Sequence, residues 1–292
     1  MASALTIKSA IKLNSGYKLP LLGFGLYQTP PDEAERAVMQ AFAAGYRHID
    51  SAAAYHNEAA AGAAIRKSDI PRSEIFFTSK VPPAGISYAG AAAQVDRTLS
   101  ESGLDYIDLM LLHAPYGGSE NRKGAWRALV EAVEAGKVRS IGVSNYGVHH
   151  LDELAQHIKE LEAERGGAGK GGVLSVGQWE IHPWLARSDI VAWSAKHGVA
   201  VEAYSPLVRG ERWGETALAA LAKKYSVTEA QVLVRWSLQK GFIPLPKSVT
   251  PSRIEANADV YGFALTDAEV AELETKEYKP VCWDPTVSSL SD

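Results

Sequence analysis

Cysteine is almost missing from this chain: Cys282 is the single one among 292 residues. It allows no intramolecular disulfide and no cysteine-cluster metal site, and it makes a reducing compartment, the cytoplasm, the economical expectation. A basic excess is missing too. The 30 basic residues face 34 acidic ones for a formal net charge of −4, so nucleic acid is not an expected partner. Long apolar runs are lacking: the longest charge-free stretch, 81–95, is broken by proline, glycine and serine, and no membrane span is expected. The opening residues Met1-Ala2-Ser3-Ala4-Leu5-Thr6-Ile7-Lys8 lack the apolar segment of a secretory signal.

What the chain does contain is an ordinary globular composition, 46% apolar and 22% charged, enough for one large core. Short β-rich runs alternate with amphipathic helical ones. Residues 7–13 and 18–20, joined by Asn14-Ser15-Gly16, read as an opening hairpin. Strands are then expected at 21–25, 47–50, 76–80, 107–112, 140–143, 173–178, 200–204 and 242–245. Helices are expected at 32–44, 58–68, 88–102, 123–135, 148–165, 188–197, one long stretch 216–239, and 266–274. Thr228 with Gln231 has the form of a capping box. Strands alternating with helices and no break in composition imply repeated right-handed βαβ units, which close into a (β/α)8 TIM barrel. A doubly wound sheet is the competing architecture. The run Arg165 to Gly172 reads as a flexible surface loop before the sixth strand, so residues 1–292 are taken as a single domain.

Several motifs fall short. Gly23-Phe24-Gly25 is followed by Gln28 where a dinucleotide fingerprint needs glycine, and Gly169-Lys170 lacks the other members of a phosphate loop. Gly142-Val143-Ser144-Asn145-Tyr146 lacks the second glycine of a nucleophile elbow. His149 and His150 are adjacent at a helix start, so their rings are expected to point apart at a solvated terminus rather than to share a metal. Asp32 to Arg36 and Glu160 to Arg165 read as solvated helix faces. Glu180 and Glu202, after the sixth and seventh strands, offer a carboxylate pair of the kind glycoside hydrolysis uses, but pairing with neighbours explains them more simply.

One constellation remains. Asp50, Tyr55, Lys80 and His113 fall at or just beyond the C-terminal ends of the second, third and fourth expected strands, the face on which a barrel carries its chemistry. Taken singly, each has an ordinary structural explanation; together they suit a catalytic site.

The segment Gly45-Tyr46-Arg47-His48-Ile49-Asp50-Ser51-Ala52, with Tyr55 and Asn57-Glu58, resembles the first signature of the aldo-keto reductase family. The segment from Lys137 to Tyr146 resembles the second, and Leu245-Pro246-Lys247-Ser248 with Arg253 and Asn257 resembles the third. The resemblance implies a barrel with an N-terminal β-hairpin and a C-terminal substrate loop, in which NADPH supplies hydride to an aldehyde or ketone. It makes Tyr55 the proton donor, Lys80 its cationic partner, His113 the group orienting the carbonyl, and Asp50 the carboxylate paired with Lys80. Lys80 should lower the Tyr55 pKa, because an ammonium favours the phenolate. Ser144, Asn145 and Gln178 resemble the partners of the carboxamide, and Tyr204 the ring stacked beneath the nicotinamide. Gly25, Leu26 and Tyr27 match an entrance loop, Ser205 and Leu207 approach the pyrophosphate, and Asn257 and Asp50 complete the cofactor set. Lys247, Ser248 and Arg253 combine two cations and a hydroxyl as a 2′-phosphate site would, which favours NADP(H). Tyr27, Pro82 and Ala114 stand where many relatives carry tryptophan, so a wider substrate pocket bordered by Tyr27, Tyr55, His113 and Ala114 is expected. Ala256 replaces a common adenine contact. A small-molecule carbonyl substrate, no metal and a monomer complete the expectation. The alternative is a cofactor-binding accessory protein on the same fold.

Overall fold

The structure is a computed structural model and describes residues 5–292. The chain opens with β1 (Ala10–Lys12) and β2 (Lys18–Pro20), followed by β3 (Phe24–Gly25), α1 (Pro31–Ala43), β4 (His48–Asp50), α2 (Glu58–Lys67) and β5 (Phe76–Val81). Next come α3 (Tyr88–Ser102), β6 (Ile107–Leu112), α4 (Ser119–Glu134), β7 (Val138–Ser144), α5 (Val148–Glu164), β8 (Leu174–Glu180), α6 (Ser188–His197) and β9 (Ala200–Tyr204). The chain ends with α7 (Thr216–Tyr225), α8 (Glu229–Gln239), β10 (Ile243–Leu245), α9 (Pro251–Ala258) and α10 (Asp267–Leu273).

Strands β3 to β10 lie in chain order in one sheet of eight, every neighbouring pair parallel. The circle is completed by backbone: the Gly23 and Gly25 N–H groups donate to Pro244 O and Pro246 O, each at 3.0 Å. The result is the expected (β/α)8 barrel. Side chains of each strand alternate between its two faces. Met110 and Leu112 of β6 join the core between strands and helices. Leu109 and Leu111 join a second cluster with Phe76, Val176, Ile243 and, from the hairpin, Leu13 and Leu19. The hairpin therefore plugs the N-terminal end of the barrel and leaves the C-terminal end open.

Three local expectations are corrected. The stretch 216–239 is two helices, because Ser226 turns left-handed (φ 55°). Thr228 and Gln231 cap the second helix, with Thr228 N–H donating to Gln231 Oε1 at 2.9 Å and Gln231 N–H to Thr228 Oγ1 at 3.2 Å. Helix α9 was not expected, being short and polar with Pro251 in its first turn. His149 and His150 do not diverge: their ring centroids are 3.9 Å apart. His150 is fully buried and accepts from Gly147 N–H at 3.1 Å, so only His149 fits the solvated reading. The glycine-rich loop does precede the sixth barrel strand. It is tied down by Arg165 donating to Lys170 O at 2.6 Å and Gly169 N–H to Glu162 at 2.6 Å. No helix among the described residues is long and apolar enough to cross a membrane.

Helices α2 and α3 approach closely at Gly62, where a Cβ would lie 2.0 Å from Ser102 O. Alanine normally stabilises a helix interior by about 1 kcal/mol over glycine, but overpacking here is expected to reverse that sign. Gly62→Ala should lose about 1–3 kcal/mol in urea denaturation. A gain in stability would contradict the close approach.

Candidate active site

Parallel pairing brings the C-terminal ends of all eight strands to one mouth, and the register sets which side chains meet there. Asp50 ends β4 opposite Thr78 of β5, two residues before Lys80. Ser144 ends β7 directly opposite Gln178 of β8. Tyr204 ends β9, and His113 directly follows β6. Tyr55 ends a single 3-10 turn, Ala53–Tyr55, beyond β4. That turn is braced by Asn57, which accepts from Ser51 Oγ at 2.7 Å and donates to Leu26 O and Thr29 O, both at 3.0 Å. Glu58 accepts from Ser79 Oγ at 2.5 Å. Asn57 and Glu58 were visible only as part of a motif; their bracing role depends on folding.

Lys80 has no solvent exposure. Its ammonium donates to Asp50 Oδ1 at 2.8 Å, Asp50 Oδ2 at 2.9 Å and Ser51 O at 2.8 Å, which commits all three of its protons. It also lies 5.0 Å from the centroid of the Tyr55 ring. The Tyr55 ring meets His113 edge-on at 5.8 Å and Tyr27 at 5.2 Å. Burial, then the Lys80 charge, pushes His113 down to about 3, so its imidazole is neutral. Tyr55 moves opposite to expectation. Burial raises its pKa well above the ordinary phenol value, and Asp50, Tyr27 and Cys282 add to the rise. Desolvation of the phenolate is the leading cause, and the Asp50 charge counts against it as well.

Above this pair lies a cavity of about 450 Å³. Asp50, Tyr55, His113 and Tyr27 reach its wall; Gly25, Ser144, Asn145 and Gln178 line it, as do Tyr204, Ser205, Leu207 and Lys247. The other expected site residues stand behind or beside it. Lys80 is beneath the floor, and Leu26 and Ala114 are wholly buried, so the Ala114 side chain does not border the pocket as expected. Ser248 is buried and accepts from Thr250 N–H at 3.1 Å. Asn257 is buried on α9, and Arg253 is exposed on its first turn. Among the described residues neither Lys247 nor Arg253 forms an ion pair. No group of metal-ligand side chains occurs among them either.

The amides at the mouth have defined orientations. Asn145 donates to His113 O at 2.9 Å and Ser144 Oγ at 3.0 Å and accepts from the Tyr204 hydroxyl at 2.8 Å. Gln178 donates one proton to Asp50 Oδ2 at 2.8 Å and the other to Glu202 Oε2 at 2.7 Å. Its carbonyl oxygen is left as an acceptor, which suits a ligand N–H such as that of a carboxamide.

Residues outside the expected set also form the wall. Pro83, Arg209, Cys282 and Trp283 are the main ones. Trp283 comes from the C-terminal segment that the resemblance implied as a substrate loop, though nothing in its pattern singled out this residue, and it packs edge-on to His113 at 6.0 Å. Glu180 holds that segment by accepting from Val281 N–H at 2.6 Å and Cys282 N–H at 3.0 Å. Arg187 clasps it through Asp284 at 2.8 Å and Tyr278 Oη at 2.6 Å. Glu180 ends β8 and Glu202 lies within β9 rather than after it, and both pair with neighbours, which leaves no carboxylate pair for glycoside hydrolysis.

A parallel eight-stranded barrel thus brings tyrosine, histidine and a buried lysine–aspartate pair together at its mouth. The Aldo/keto reductase family model matches residues 21–277, and the chain belongs to that family. It is 40% identical to an uncharacterized oxidoreductase of Schizosaccharomyces pombe over 97% of this chain and 99% of the relative. It is 36% identical to the glyoxal reductase of Bacillus subtilis over 92% of this chain and 93% of the relative. A crystal structure of a Bombyx mori aldo-keto reductase in complex with NADP superposes with a TM-score of 0.83 at 30% identity, covering 96% of each chain.

Removing one partner from the buried pair strands the other charge, at a cost of about 3–5 kcal/mol. Asp50→Asn should lose stability on that scale in urea, and Asp50→Asn with Lys80→Met should recover part of it. Equal stability of wild type and Asp50→Asn would mean that Lys80 finds other compensation.

Proposed function

We propose that this protein is an NADPH-dependent reductase of aldehydes or ketones with Tyr55 as proton donor. The observation that carries the reading is the convergence of the Tyr55 and His113 side chains on one cavity above the Lys80–Asp50 pair. Membership of the family, and the NADP held by the Bombyx mori protein, support a nicotinamide cofactor. The residues here fit one: the free Gln178 carbonyl suits a carboxamide N–H, and Lys247 and Arg253 are cations with no acidic partner among the described residues. When bound, the cofactor supplies the hydride that adds to a carbonyl carbon.

The chain's own residues do the rest. Neutral His113 and protonated Tyr55 direct two donors at the carbonyl oxygen, where negative charge develops. Tyr55 then gives its proton to that oxygen and completes the alcohol. A raised Tyr55 pKa keeps the proton in place until charge develops. Lys80, held at 5.0 Å from the Tyr55 ring, stabilises the phenolate left behind. Tyr27 and Trp283 border the reacting groups. Tyr204 would support the nicotinamide, and Lys247 and Arg253, with Ser248 nearby, would hold the 2′-phosphate.

Tyr55→Phe keeps the ring and removes the donor, so kcat should fall at least about 10²-fold with NADPH affinity nearly unchanged. Near-normal turnover would remove Tyr55 from the role. Arg253→Ala should weaken NADPH binding about tenfold, the scale of an exposed charge-assisted contact, and leave NADH almost untouched. Fluorescence titration of both cofactors checks this, and equal losses would make Arg253 structural.

A further inference from the structure

The catalytic reading assigns no role to Glu202, although it is wholly buried inside the barrel. Its Oε2 accepts from Gln178 at 2.7 Å. Its Oε1 has no hydrogen-bond partner and faces His48 Nε2 at 3.6 Å. His48 is itself buried, with Nε2 3.1 Å from Thr78 Oγ1. Since Gln178 also donates to Asp50, and Asp50 to Lys80 is a direct ion pair, Glu202 stands one side chain away from the charged pair below the cavity.

The charges in this cluster decide what the cavity floor presents. Lys80 and Asp50 cancel. With its proton on, Glu202 leaves the cluster neutral; with its proton off, the floor carries one uncompensated negative charge in a low-dielectric interior. Burial and the Asp50 charge push Glu202 up to about 8, against the opposing pull of Gln178 and Lys80. The shifts of His48, His113, Tyr55, Tyr204 and Cys282 all run away from that range. Burial and Lys80 push His48 down to about 3, so its ring is neutral and does not offset a charge on Glu202. His113 is likewise low, whereas Tyr55, Tyr204 and Cys282 are raised by burial. Of the two strands paired with β9, β10 carries no ionisable residue, and β8 carries Glu180, whose carboxylate accepts from Val281 N–H and Cys282 N–H.

An oxidised nicotinamide ring carries a positive charge and a reduced one does not. We propose that Glu202 is an electrostatic positioning residue whose protonation state sets the preference of this pocket for oxidised over reduced nicotinamide. The inference rests on the reading above that Gln178 holds the carboxamide. Neutral Glu202 lets the two redox states bind on equal electrostatic terms. Ionised Glu202 favours the oxidised ring, and the oxidised ring in turn favours loss of the Glu202 proton.

Dissociation constants for NADP+ and NADPH, measured by fluorescence or calorimetry from pH 6 to 9, test this without any turnover. Their ratio cancels the ionisation of the 2′-phosphate, which both share. In the wild type the ratio of NADPH to NADP+ dissociation constants should rise about tenfold as pH passes through about 8. In Glu202→Gln, which preserves shape and an acceptor for Gln178, the ratio should stay flat at its low-pH value. Glu202→Thr provides the same test should the first variant not fold. A flat wild-type ratio, or an equal slope in wild type and variants, overturns the inference while leaving the reductase reading in place. Failure of the wild type to bind either dinucleotide overturns that reading, and the inference with it.

Discussion

Lys80 carries its charge where no water reaches, and the mouth of the barrel is arranged around keeping it there. Taking an ammonium out of water costs several kcal/mol, and only close, well-directed acceptors offset that. Both Asp50 oxygens and the Ser51 carbonyl supply them within 2.9 Å. Those acceptors exist because β4 and β5 pair in parallel with Asp50 opposite Thr78. Ser51 is fixed in turn by Asn57, whose amide also holds the entrance loop through Leu26 and Thr29. Tyr55 rides on the same turn. Satisfying one buried cation therefore also positions the phenol above it.

The same economy runs through the amides. Gln178 connects Asp50 to Glu202, Ser144 connects Gln178 to Asn145, and Asn145 connects His113 to Tyr204. Gln178 commits both amide protons to Asp50 and Glu202 and keeps its carbonyl oxygen as the remaining acceptor. Such preorganisation is what a site needs when charge develops during a reaction and the surroundings have no time to rearrange.

Much of this was legible in the residues. The barrel followed from strand and helix alternation, which also placed Asp50, Lys80 and His113 at or just beyond expected strand ends; Lys80 lies one residue inside β5. What was not legible depends on proximity in space. The break at Ser226 hides between two segments of similar helical period. Helix α9 has too little apolar face to register. The resemblance implied a C-terminal segment at the pocket, but that Trp283 is the residue brought against His113 depends on the clasp by Arg187 and Glu180. The direction of the Tyr55 shift depends first on how deeply the phenol is buried and then on how near Asp50 lies, which folding decides and composition does not. Glu202 read as an incidental carboxylate because nothing in one dimension connects it to Gln178 and His48.

Barrel closure between Gly23 and Pro244, and between Gly25 and Pro246, has a consequence for the order in which the molecule can be completed. Partners more than two hundred positions apart must meet, so closing the circle is among the least local events in the chain. While the chain is being synthesised, β3 emerges early and waits with an unpaired edge until β10 appears. The growing sheet correspondingly advances an open edge with each new strand, the kind of edge that invites pairing with other chains. The hairpin plug covers the bottom of the sheet but not these edges. Aggregation during synthesis is therefore a hazard of the unfinished barrel, and it ends only when the last short strand, Ile243–Leu245, reaches the first.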